Sequence, residues 1–81
     1  MTKEEILTRL LPIVQGLKSQ WNEEEITLSS NLRTDLGLES LDYIDLVLQT
    51  ETTFGISITP EESSAAVTVG DFINLISSKL S

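Results

Sequence analysis

Apolar residues recur along this chain at intervals of three and four in three stretches, each bounded by residues that start or stop helices. Ile6, Leu7, Leu10, Leu11, Ile13, Val14 and Leu17 follow Thr2-Lys-Glu-Glu5, whose threonine and final glutamate have the spacing of a capping box. The pattern predicts a first helix ending near Lys18 to Trp21. Pro12 lies inside it. Proline lacks the N–H that would bond the Thr8 carbonyl, and its ring crowds that carbonyl. A kink or local irregularity is expected there, with a break into two short helices as the lesser alternative.

Periodicity then fades from Asn22 to Glu39. Asn22 with Glu23, Glu24 and Glu25 suits the cap of a brief turn, and Ile26, Leu28 and Leu32 are isolated apolar positions. A loop of this length in so small a chain is either functional or disordered. The three apolar residues favour an ordered loop pinned across a core. A second helix is predicted from about Ser40 to Phe54, stopped by Gly55. Thr59-Pro60-Glu61-Glu62 combines a capping box with proline at the first helical position and opens a short helix ending near Ala66. Thr68-Val-Gly-Asp71 caps a last helix whose inward face is Val69, Phe72, Ile73, Ile76 and Leu80. Ile56-Ser-Ile58 is too short to be more than an extended connector. The fold class is all-α: an irregular four-helix bundle of three main helices and one short one, with a long first loop, in a single domain over 1–81.

The second helix carries more apolar surface than a core-facing helix needs. Tyr43, Leu46, Val47, Thr50 and Phe54 form one stripe, and Leu41, Ile44 and Leu48 a narrower second one. The second lies beside Asp42, Asp45 and Glu51, the composition of a docking surface. The competing reading is that the other helices and the long loop bury both stripes.

Composition removes whole classes of function. The 81 residues include no cysteine and no histidine, so there are no disulfides, no thiolate metal site and no imidazole base. Thirteen acidic against five basic residues give a net charge of −8, which repels phosphate backbones and argues against nucleic acid. It attracts partners with basic patches and speeds their encounter. No apolar run reaches the roughly 20 residues that cross a bilayer, and the start of the chain lacks a signal-peptide pattern. The expectation is a cytoplasmic protein that does not insert into membranes.

Asp35-Leu-Gly-Leu-Glu-Ser-Leu-Asp42 concentrates the candidate chemistry. It is a tight turn, with Gly37 free to take unusual backbone angles, delivering Ser40 to a helix start ringed by Asp35, Glu39, Asp42 and Asp45. A serine in this place is ordinarily an N-cap, as Thr2, Thr59 and Thr68 are expected to be. No nucleophile–base pair can be assembled here, so the chain is not expected to be an enzyme. The setting points to a hydroxyl that another enzyme modifies. The acids also lack the loop spacing of an EF-hand, and no metal site is expected.

The same octapeptide resembles the prosthetic-group attachment motif of acyl carrier proteins, usually Asp-Leu-Gly-x-Asp-Ser-Leu. The resemblance continues through Tyr43-Ile-Asp-Leu-Val47, Glu51, Phe54-Gly-Ile and Thr68-Val-Gly-Asp71, nearly the whole chain. It implies that a phosphopantetheinyl transferase esterifies Ser40 with 4′-phosphopantetheine from coenzyme A, in a site flanked by Asp35, Gly37, Glu39 and Leu41. The arm then carries acyl groups as thioesters to the enzymes of fatty-acid or related acyl or polyketide synthesis. A phosphodiester on Ser40 would sit near the positive end of the helix dipole. The resemblance further implies a monomer, docking through Leu41, Asp42, Ile44, Asp45, Leu48 and Glu51 to acyl-transferring and acyl-modifying enzymes with basic patches. With the helical pattern it gives an acyl pocket lined by Leu46, Val47, Thr50, Phe54, Ile58, Ala65 and Phe72.

Four positions depart from the family pattern. Glu39 stands where aspartate usually precedes the serine, Thr50 where a large aliphatic residue is usual, and Thr52 with Thr53 where glutamates are frequent. These departures, together with Pro12, suggest a specialised carrier, and Thr50 a shallower or more polar pocket. Two alternatives stay open: an aminoacyl or peptidyl carrier, and an unmodified helical interaction module. Peptidyl carriers usually show Gly-Gly-His/Asp-Ser before the leucine, whereas Leu38-Glu39 and the strong acidity here fit the acyl branch better.

Overall fold

Four helices, with no strand among the described residues, make up the regular structure of the computed structural model, which describes residues 1–17 and 26–80. They are α1 (Lys3–Leu17), α2 (Ser40–Phe54), α3 (Pro60–Ala65) and α4 (Val69–Leu80). The expected end of α1 near Lys18 to Trp21 and the expected turn at Asn22 to Glu25 lie outside the described residues.

Capping chemistry sets most of the boundaries. The Thr2 hydroxyl accepts the Glu5 N–H at 3.2 Å while Glu5 accepts the Thr2 N–H at 3.0 Å. Thr59 and Glu62 repeat the exchange at α3, and Thr68 and Asp71 at α4. Each satisfies donors that the first helical turn leaves without partners. Gly55 ends α2 with φ 67° and ψ 39°, the left-handed cap that glycine adopts without a Cβ clash. α1 is continuous through Pro12, so the break into two helices does not occur. Pro12 is exposed, with its ring away from the core.

α1 packs against α2 and α4. Ile6, Leu10, Ile13 and Val14 from α1, Leu46 and Phe54 from α2, and Val69, Phe72, Ile73 and Ile76 from α4 form one core. α3 contributes no buried residue and is tied down at its edge, where Glu62 meets Lys79 Nζ of α4 at 2.7 Å.

The segment before α2 is ordered by backbone pairing as well as by apolar anchors. It runs antiparallel to the α3–α4 connection, with an isolated bridge between Asn31 and Thr68. The Leu32 N–H donates to the Val67 carbonyl at 2.9 Å, Val69 N–H to Ser30 at 3.0 Å, and Gly70 N–H to Leu28 at 2.8 Å. Ile26 and Leu32 are buried as expected, whereas Leu28 is exposed. It sits in a tight turn closed by Thr27 and Ser30, which supplies a backbone carbonyl to Gly70 and leaves the side chain outside. The anchoring falls to Leu36 and Leu38, both buried.

Candidate functional site

Hydrogen bonds from Asn31 onwards shape the approach to α2. The Asn31 amide oxygen accepts the N–H groups of Arg33 and Thr34 at 2.9 and 3.0 Å, an Asx turn. The Asp35 carboxylate returns to accept the Asn31 N–H at 2.7 Å. Leu36 and Leu38 are buried on either side of Gly37, whose φ of 72° lies in the region that side-chain-bearing residues avoid. Two buried leucines and a left-handed glycine therefore fix the direction in which the chain enters α2.

Ser40 is the first helical residue, not the cap. The cap is Glu39 in extended conformation, and its N–H donates to the Asp42 carboxylate at 3.0 Å. The Ser40 side chain is exposed, and no described residue engages its hydroxyl. The N-cap role ordinary for such a serine falls to its neighbours, because a box of Glu39 and Asp42 closes the helix start without it.

The outer stripe of α2 stays uncovered. Leu41 is 78% exposed, and Ile44 and Leu48 are each 56% exposed, while Tyr43, Leu46, Thr50 and Phe54 are buried. The reading in which both stripes are buried does not hold. Asp45 is exposed beside this stripe and Asp42 half-buried. Glu51, assigned to the same docking set, is turned to another task. Its carboxylate accepts the Ile58 N–H at 2.9 Å and braces the α2–α3 connector.

Between α2 and α3 lies a cavity of about 240 Å³ lined by Tyr43, Ile44, Val47, Leu48, Ile58, Pro60 and Ser63. Of the residues assigned to an acyl pocket, Val47 and Ile58 stand on its wall. Leu46, Thr50 and Phe72 do not line it and have no exposed surface, and Phe54 is buried too. Ala65 is exposed and borders a different hollow, with Glu62, Ala66 and Asp71, because the single turn and a half of α3 points it towards α4. Helical spacing placed Ile44 and Leu48 only on the outer stripe. They border the cavity mouth as well, and their i, i+4 spacing beside Tyr43 and Val47 was the available sign. Tyr43 is held by a bond from its hydroxyl to the Ala66 carbonyl at 3.4 Å and by the Arg33 guanidinium 5.0 Å from its ring centre.

Among the described residues no group of histidine, cysteine, aspartate or glutamate side chains could hold a metal ion, and no helix is long and apolar enough to cross a membrane.

Comparison with known proteins matches residues 9–76 to the family model described as the phosphopantetheine attachment site. An acyl carrier protein of Coprothermobacter proteolyticus is 39% identical over 80 residues, covering 99% of this chain and 96% of that one. An acyl carrier protein of Petrotoga mobilis is 36% identical over 80 residues, covering 99% and 93%. Among solved structures, the acyl carrier protein of Enterococcus faecalis, described for its high thermal stability, superimposes with a TM-score of 0.81. It is 29% identical, and the match covers 98% of this chain and 99% of that one.

Proposed function

This chain belongs to the acyl carrier protein family, and on that premise we propose that Ser40 is the residue to which its prosthetic group is joined. Carriers of this family hold 4′-phosphopantetheine covalently, and its terminal thiol supplies thioester chemistry when bound. They work with synthase enzymes and with a phosphopantetheinyl transferase.

The observation that carries the assignment is the exposed, unengaged hydroxyl at the first position of α2. The residues present fit the group. Ser40 Oγ exchanges its proton for a bond to phosphorus, and adenosine 3′,5′-bisphosphate leaves coenzyme A. The negative charge then gained lies at a helix N-terminus, whose free N–H groups favour an anion. Asp35 and Gly37 hold the approach, and Leu41 presents apolar surface next to the modified residue.

Docking is assigned to the exposed stripe Leu41, Ile44 and Leu48 with Asp42 and Asp45. The apolar centre supplies contact area, and the carboxylates steer basic patches on the partner enzymes. Glu51 is a brace within this arrangement. The cavity between α2 and α3 is the entry for the acyl chain, opened by Val47 and Ile58, and its mouth adjoins the docking stripe through Ile44 and Leu48. The protein acts as a monomer in the cytoplasm and delivers cargo without catalysing its chemistry. A net charge of −8 disfavours self-association.

Intact mass tests the assignment. Incubation with coenzyme A, magnesium and a promiscuous phosphopantetheinyl transferase adds one phosphopantetheine to the protein and none to Ser40→Ala. Equal addition to both proteins contradicts the assignment.

A further inference from the structure

We propose that Thr50 determines cargo specificity by hydrogen bonding to an oxygen within the acyl chain, so that chains bearing a mid-chain ketone or hydroxyl are preferred over plain alkyl chains. The inference rests on the carrier reading above and names the cargo class for its cavity.

Thr50 Oγ1 is fully buried and has no hydrogen-bond partner. A helical threonine ordinarily avoids this by donating to the carbonyl four residues earlier. Thr8 does so to Glu4 at 2.9 Å, and Thr52 to Leu48 at 3.0 Å. Thr50 does not, and a buried polar atom left unpaired is destabilising enough to need an explanation.

Its position supplies one. Thr50 lies three residues beyond Val47 and seven beyond Tyr43, on the same face of α2, and both of those line the cavity between α2 and α3. The polar groups already on the cavity wall are engaged. The Tyr43 hydroxyl donates to the Ala66 carbonyl, and Ser63 Oγ donates to the Pro60 carbonyl at 3.0 Å. Thr50 is the hydroxyl left over, buried three residues along α2 from Val47. A chain that enters past Val47 and Ile58 and parts the core over those three residues, about 4.5 Å along the helix, brings its middle carbons to Thr50. A threonine hydroxyl both donates and accepts, so either a ketone or a hydroxyl completes it, whereas a methylene leaves it unpaired. A buried water could satisfy the same atom, but water would confer no preference among cargoes.

The experiment loads Ser40 of the full chain with octanoyl-phosphopantetheine or with its mid-chain oxo and hydroxy counterparts, with loading checked by intact mass. Unfolding midpoints and NMR contacts between chain and core are measured in the wild type, Thr50→Val and Thr50→Ser. The expected result is a higher midpoint for the oxygenated forms than for octanoyl in the wild type and Thr50→Ser. That difference is lost in Thr50→Val, whose unloaded form melts higher than the wild type and so reports a folded protein. Equal midpoints in the wild type, or the same preference in Thr50→Val, overturn the role of Thr50. If octanoyl still contacts the core in that case, the carrier reading and its cavity stand. If no variant loads, or no loaded chain touches the core, the underlying reading falls and this inference with it.

Discussion

The Asp42 carboxylate accepts the Glu39 N–H at 3.0 Å, one half of the box that closes the start of α2 without using the serine between them. A helix start normally consumes its serine as a cap. Here the capping duty is moved to the flanking acids, and Ser40 stays exposed, as the proposed attachment requires. The same carboxylate places negative charge next to the exposed stripe of Leu41, Ile44 and Leu48, so under the proposed docking Asp42 serves the fold and the encounter together.

Ser40→Ala should leave stability within about 0.5 kcal/mol of the wild type, the range for a surface change that removes no bond. Denaturant unfolding checks this. A larger loss would mean that the hydroxyl is a cap after all.

Asp42 and Asp45 should separate. Asp42→Ala removes the bond to Glu39 and costs about 1 kcal/mol, and it also weakens binding to the phosphopantetheinyl transferase. Asp45→Asn weakens that binding with stability unchanged. Wild-type binding falls as salt is added, since Asp45 is exposed and Asp42 only half-buried. Salt-independent binding would remove the electrostatic part of the docking account.

The two stripes of α2 should respond in opposite ways. Leu41→Ser and Leu48→Ser lie on exposed positions and should weaken transferase binding with little effect on unfolding. Leu46→Ala, fully buried, should cost about 2–5 kcal/mol, a large share of what so small a domain has. Comparable destabilisation by all three would show that the outer stripe is packed.

Thr50→Val should stabilise the unloaded protein by about 1–3 kcal/mol, the usual cost of an unsatisfied buried hydroxyl. Thermal and denaturant unfolding measure it. A destabilised variant would mean that the hydroxyl is paired in solution.

Acid should weaken three helix caps. Glu5 is held below its ordinary 4.5 by the backbone hydrogen bond from Thr2. Lys79, and then the Thr59 N–H, hold Glu62 below the same value, and the Thr68 and Val67 N–H groups hold Asp71 below 3.8. Each folded-state pKa lies below the unfolded one, so the unfolded chain binds more protons. The stabilisation is present above these ordinary values and is lost as pH falls below them. Asp71→Asn should flatten the acid side of the stability profile below pH 3.8. An unchanged slope would show that Asp71 contributes nothing to it.

Helix positions were legible because caps and periodicity agree locally: Thr2 with Glu5, Thr59 with Glu62, Thr68 with Asp71, and Gly55 at the end of α2. The attachment motif was equally legible, since its glycine, its acids and its serine are contiguous. What could not be read depends on contacts distant in sequence. Nothing local distinguishes Leu28, left outside, from Leu32, buried, because the pairing of 28–32 with 67–70 decides it. Glu51 looked like its acidic neighbours until the Ile58 N–H reached it. Ala65 was misplaced because α3 is too short for its orientation to be set by a repeating face. Thr50 was recognisable as unusual for the family, but that its hydroxyl lacks even the local carbonyl bond is visible only in three dimensions.

Site-resolved mass spectrometry after modification by a phosphopantetheinyl transferase tests the central claim most directly, because the chain offers competing exposed serines at Ser29, Ser57 and Ser64. The account requires the whole adduct to lie on the peptide containing Ser40, where a hydroxyl at the first turn of a long helix is held free by Glu39 and Asp42. An adduct on any other serine, or none on a protein shown to be folded, would contradict it.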